Sequence, residues 1–98
     1  MSEVTVRIRR DPGAPAPTAD PDQCRVRDGD LVVFVGEAAF EIAFEDASPG
    51  PPGAPLRLPS QAGQGMQQAR LPIRNRKGTY RYAIRMDGAE ADPAIIIH

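Results

Sequence analysis

The chain is expected to fold as a single-domain, all-β sandwich, and three observations say so. Apolar residues alternate with polar ones in short runs, proline and glycine punctuate the intervals, and no long run keeps the ~3.6-residue period of an amphipathic helix. Its 98 residues suffice for one modest core, because a chain of this size buries roughly 60 to 68% of the surface its unfolded form exposes. About six to eight short strands with Pro/Gly-rich connections then pack as facing sheets.

Val4, Val6 and Ile8 alternate with Thr5, Arg7 and Arg9, the pattern of a strand with one buried face. From Asp11 to Asp22, Pro12, Pro15, Pro17 and Pro21 remove backbone donors and fix φ, which predicts a loop at about 11–22. Cys24 and Val26 alternate with Arg25 and Arg27 in a second strand. Asp28-Gly29 supplies a turn, and Leu31 to Val35 forms a third, nearly continuous apolar strand. A fourth runs from about Ala39 to Glu45, with Phe40, Ile42 and Phe44 on one face and Glu41, Ala43 and Glu45 on the other.

The next stretch, 46–65, holds Pro49, Pro51, Pro52, Pro55 and Pro59 among glycines. A long loop is predicted there, of the kind that is either functional or disordered, with Leu56 and Leu58 tacking its middle onto the core. Met66 to Ile73 reads as a strand with Ala69, Leu71 and Ile73 inward, and Pro72 confines that part to an edge or a bulge. Asn75 to Gly78 turns the chain, Thr79 to Met86 is a further strand, and Ala94 to Ile97 closes the domain.

Composition narrows the function. With 12 basic and 13 acidic residues the net charge is −1, which leaves no electrostatic footprint for nucleic acid or an anionic membrane. No stretch approaches the roughly 20 apolar residues of a membrane span and no basic-then-apolar leader opens the chain, so a cytoplasmic location is expected. The single Cys24 cannot form an internal disulfide. The excess of Arg over the lone Lys77, with abundant Ala, Gly and Pro, is the composition of a GC-rich bacterial genome.

Catalysis has little to work with. The one imidazole, His98, ends the chain, and no hydroxyl has a base near it in sequence. Asp28 and Asp30 flank a turn glycine while Glu45 and Asp46 start a loop, both ordinary roles for acids. Phosphate-binding and dinucleotide-binding glycine motifs and Cys-x-x-Cys are absent. The expectation is a non-catalytic chain with no cofactor.

Gly29-Asp30 followed by Val33 and Phe34, and Gly78-Thr79-Tyr80-Arg81-Tyr82 further on, resemble two signatures of the cupredoxin family, the plastocyanin-like blue-copper sandwiches. The match covers about Val26 to Phe44 and Gly78 to Ile97, roughly half the chain. The resemblance implies a cupredoxin-like Greek-key β-sandwich. It also implies where copper ligands would stand: the first His falls on Phe40, the Cys on Ile84, the second His on Asp87, and the axial Met near Glu90 or Ala91. Blue copper needs two imidazoles, a thiolate and a weak axial thioether, and none of these residues supplies one. Parity puts Phe40 and Ile84 inward, so the pocket is expected to be filled by hydrocarbon.

These readings converge on a metal-free binding or assembly module. Its contact surface is expected at the end where copper would sit, in the loops Gly36 to Ala39 and Met86 to Pro93, with Phe40, Met86, Asp87, Arg81 and Arg85 as the expected binding residues. A protein partner is expected, homo-oligomerisation remains open, and neither nucleic acid nor membrane is. The alternative is a redox or metal-trafficking protein with a different copper site around Cys24, Met66, Met86 and His98. Two uses of the arginines compete. Glu41 and Glu45 face Arg81 and Arg85 across a ladder, or Arg7, Arg9, Arg25, Arg27 and Arg74 collect on the opposite sheet as a basic face for an acidic partner.

Overall fold

The computed structural model describes residues 3–10, 13, 16–45, 47–63, 65–74, 77–86 and 88–97. Within them the chain forms β1 (Glu3–Arg9), β2 (Thr18–Asp20), β3 (Gln23–Val26), β4 (Leu31–Gly36), β5 (Glu41–Phe44), β6 (Arg57–Pro59), β7 (Gln61–Gly63), β8 (Met66–Pro72), β9 (Gly78–Met86), β10 (Ala89–Ala91) and β11 (Ala94–Ile97). One sheet has the order β2-β1-β4-β8-β7. The other runs β3-β11-β9-β5-β6, with β10 added along β9 beyond the end of β11. The β1/β4 and β3/β11 pairs are parallel and the others antiparallel.

The eleven strands exceed the about six to eight anticipated, because the proline-rich stretches are not plain loops. Thr18–Asp20 pairs with Arg7–Arg9 at one edge, and Arg57–Pro59 and Gln61–Gly63 pair with β5 and β8 at the other side. Three residues without an internal proline are enough to complete a short edge ladder when a longer strand is already in place. Proline also fixes the turn at Pro51–Ala54: Ala54 N–H donates to Pro51 C=O at 3.0 Å, and Gly53 takes the positive φ of 83° that the third turn position requires. Pro49 is fully buried and its carbonyl accepts from Arg74 N–H at 2.9 Å. Leu58 packs on the core, whereas Leu56 is exposed.

The core lies between the sheets. Val6, Ile8, Val32, Phe34, Ala69 and Leu71 come from one, and Cys24, Val26, Ile42, Phe44, Tyr82, Ile84, Ile95 and Ile97 from the other. Period-2 alternation puts each of these inward. Phe34 meets Tyr82 across the layers at a centroid distance of 5.4 Å and 70°, an edge-to-face contact, and Phe44 adds a tilted contact with Tyr82 at 5.6 Å. Tyr82 carries a buried hydroxyl with no hydrogen-bond partner among the described residues. Val33 is buried although it points to the outer face, on the strand that is central in its sheet. Pro72 stands where β8 has no neighbour on its outer side, since β7 covers only Met66–Gln68, as a residue without an N–H requires.

The chain passes from one sheet to the other within single connected runs. The cis Asp20-Pro21 peptide lies between β2 and β3, which belong to different sheets. On the far side Ser60 is the corner between β6 and β7. Its N–H donates to Phe40 C=O at 2.8 Å, its Oγ accepts from Phe40 N–H at 2.9 Å, and its hydroxyl donates to Gln67 Oε1 at 3.0 Å. One serine thus ties the start of β5 to β8 in the opposite layer.

Candidate functional site

β4 ends at Gly36, and the chain turns through Glu37, Ala38 and Ala39 before Phe40 re-enters the core. Gly36 has no side chain for a steric reason. A Cβ there would stand 3.3 Å from Ile8 O and from the Cδ2 and Cε2 atoms of Phe40, so the Phe40 ring presses on the backbone of the turn. Phe40 is 4% exposed and Ile84 0%. The two positions that the family resemblance assigns to an imidazole and a thiolate therefore hold packed hydrocarbon, which has no lone pair to offer a metal. The donor set does not fit blue copper. Among the described residues no cluster of three or more His, Cys, Asp or Glu side chains could hold a metal ion.

The expected binding residues divide between two environments. Phe40 and Met86 belong to the buried cluster, Met86 being 5% exposed, because both have inward parity on neighbouring strands. Arg81 and Arg85 are exposed on the outer face of that same sheet. Their side chains point away from Phe40 and Met86, which face the core. Asp87 lies outside the described residues. Arg85 sits between two acids: its Nη1 is 3.4 Å from Glu41 Oε1 and its Nε 3.2 Å from Glu90 Oε1. Glu41 and Arg85 are direct register partners, so the expected ladder pair forms, worth about 0.2 to 1 kcal/mol at such exposure. Glu45 and Arg81 instead meet through the backbone, Glu45 N–H donating to Arg81 C=O at 3.4 Å.

The copper site sketched around Cys24, Met66, Met86 and His98 is taken apart by the fold. Cys24 aligns with Ile95 and through it with Tyr80. Met86 is six residues further along β9, about 20 Å away at ~3.3 Å per residue. Cys24 is fully buried, and burial with Asp30 nearby pushes its thiol up to about 11, so it stays protonated near neutral pH. His98 lies outside the described residues. Asp30, read as a turn residue, is one: its carboxylate accepts from Arg27 N–H at 2.9 Å and its N–H donates to Arg27 C=O at 3.0 Å.

Met66 and Met86 do come together. Both line a groove of about 750 Å³ that runs along the second half of β1 to the end of β4. Arg7, Arg9 and Arg10 form its β1 side, Val35 and Gly36 its β4 side, and Glu37 and Ala38 its lip. Arg10 closes one end, its Nη1 donating to Met86 C=O at 3.3 Å. Met66 is 41% exposed. Arg7 and Arg9 were legible as outward residues, but their company was not: Arg25 lies on the other sheet, and the groove depends on the parallel pairing of β1 with β4 and on where β8 starts. The loop Gly36–Ala39 anticipated as a contact surface contributes its lip.

Solved structures supply the comparison. The crystal structure of pseudoazurin from Methylobacterium extorquens AM1 matches with a TM-score of 0.59 at 21% identity, over 97% of this chain and 74% of that one. Native pseudoazurin from Hyphomicrobium denitrificans matches with a TM-score of 0.58 at 18% identity, over 97% and 74%. No family model and no curated protein matches the sequence. The chain has the cupredoxin fold, as its two short motifs implied.

Proposed function

We propose that this chain is a non-catalytic binding module that uses the cupredoxin fold without its metal and engages a protein partner at the groove beside the Gly36–Ala39 turn. The observation that carries this reading is the hydrocarbon at Phe40 and Ile84, held at 4% and 0% exposure, where the fold family would place an imidazole and a thiolate. Support comes from the groove itself, which combines guanidinium groups with exposed apolar surface at one end of a rigid sandwich. Its volume is within the range of pockets that hold ligands. A second reading, metal trafficking, retains only its methionine half, since Met66 and Met86 share the groove and Cys24 does not.

Two measurements test the reading together. Titration with Cu(II), and with Cu(I) under anaerobic conditions, is followed by visible absorption and native mass spectrometry. The expected result is no thiolate-to-copper charge-transfer band and no stoichiometric copper. In parallel, a photo-crosslinking residue replaces Ala38 at the groove lip or Lys77 at the opposite end of β9. Protein adducts in native extract are expected at Ala38 and not at Lys77. A one-to-one copper complex, or equal adducts at both positions, would overturn the proposal.

A further inference from the structure

We infer that the groove receives an extended acidic segment of a protein partner, whose alternate carboxylates pair with Arg7 and Arg9. This inference rests on the binding-module reading and specifies its partner.

Arg7 and Arg9 are two residues apart on the outer face of β1, so their side chains repeat at about 6.6 to 6.8 Å. An extended peptide repeats its own same-side residues at the same interval, and carboxylates at i and i+2 therefore meet both guanidinium groups. In a helix those two positions diverge and cannot do so. Neither guanidinium lies within ion-pair distance of a described carboxylate, even though Asp20 is the register partner of Arg7 on β2. Arginine is suited to this task because its planar fork can grip a carboxylate through two parallel hydrogen bonds.

The rest of the groove sets the orientation. Glu37 on the far lip repels acids, which directs the occupant's carboxylates toward β1. Val35 and the exposed thioether of Met66 offer apolar contact, and methionine adapts to varied shapes. Arg10, held on the Met86 carbonyl, closes the end. Polyanionic nucleic acid is a poor competitor for a chain of net charge −1, in which basic residues cluster only locally.

Fluorescence anisotropy tests this with labelled heptapeptides carrying three glutamates, spaced at every second residue in one isomer and at every third in the other, the remainder threonine. The alternating isomer is expected to bind at least about fivefold more tightly. R7E/R9E should weaken it by about tenfold or more and R7Q/R9Q by less, while R25E on the other sheet changes it by less than about twofold. Circular dichroism and melting confirm that each variant is folded. Equal affinity for the two isomers, or indifference to the charge reversal, would overturn the inference. So would a single-stranded oligonucleotide binding as tightly through the same arginines, or a self-association in sedimentation that R7E/R9E abolishes. Loss of the peptide result with persistent crosslinking at Ala38 removes this inference alone; loss of both removes the binding-module reading as well.

Discussion

Truncating the ring at the position that the family resemblance assigns to a metal ligand is the most direct probe of this sandwich. Phe40→Ala leaves the backbone ties intact, because the hydrogen bonds to Ser60 use only the Phe40 N–H and C=O. What it removes is a side chain 4% exposed, packed under Gly36 and inside the cluster shared by both sheets. Deletion of a buried Phe side chain generally costs about 3 to 5 kcal/mol, the transfer of the ring plus the cavity left behind. A domain of this size has only about 5 to 15 kcal/mol in total. The variant should therefore lose a large fraction of its stability, and its melting temperature should fall by about 12 °C or more. Urea unfolding gives the free energy directly, and an unchanged denaturant slope would show that the folded and unfolded states are otherwise alike. A loss below about 1 kcal/mol would refute the argument, because it would mean that the ring lies in solvent and that the position resembling a ligand site is open.

Two further changes follow from buried polar groups. Tyr82→Phe removes a buried hydroxyl that has no partner among the described residues; it should stabilise the fold by about 1 to 3 kcal/mol in urea unfolding, and a clear destabilisation would show that the hydroxyl is bonded in solution. The Cys24 thiol is raised by burial and by Asp30 from 9.0 to about 11, so the folded state holds a proton that the unfolded state releases. Its contribution is therefore full below pH 9 and is lost as the pH rises through about 11. Tyr82, also raised by burial, adds to that fall. The alkaline loss should be smaller in Cys24→Ala than in the unsubstituted chain when both are followed by denaturant titration across this range, and identical profiles would contradict the burial argument.

Alternation made β1, β3, β5 and β8 legible, with β4 showing as a nearly continuous apolar run, because four or more residues suffice to show which faces are buried. It also gave the inward parity of Phe40 and Ile84. The short strands β2, β6, β7 and β10 could not be read, since three residues establish no period and the surrounding prolines argue for loop. They form because a longer neighbour already offers unpaired backbone groups. The groove was illegible for a different reason. Arg9, Glu37 and Met66 come from three segments, and only the strand order brings them together. Arg25 shows the same limit in reverse: parity placed it outward correctly, but no local pattern says to which sheet its strand belongs.

The turn from Gly36 to Phe40 is fastened at both feet. One foot rests on an aromatic ring that leaves a Cβ only a tight 3.3 Å, and the other is stitched through Ser60 to Gln67 in the opposing layer. A hoop held this way has little conformational entropy left to surrender when something touches it, which favours recognition of a preformed shape over folding around the guest. For the proposed partner, affinity at this lip would be governed by how long it stays, because the landing surface is already in place.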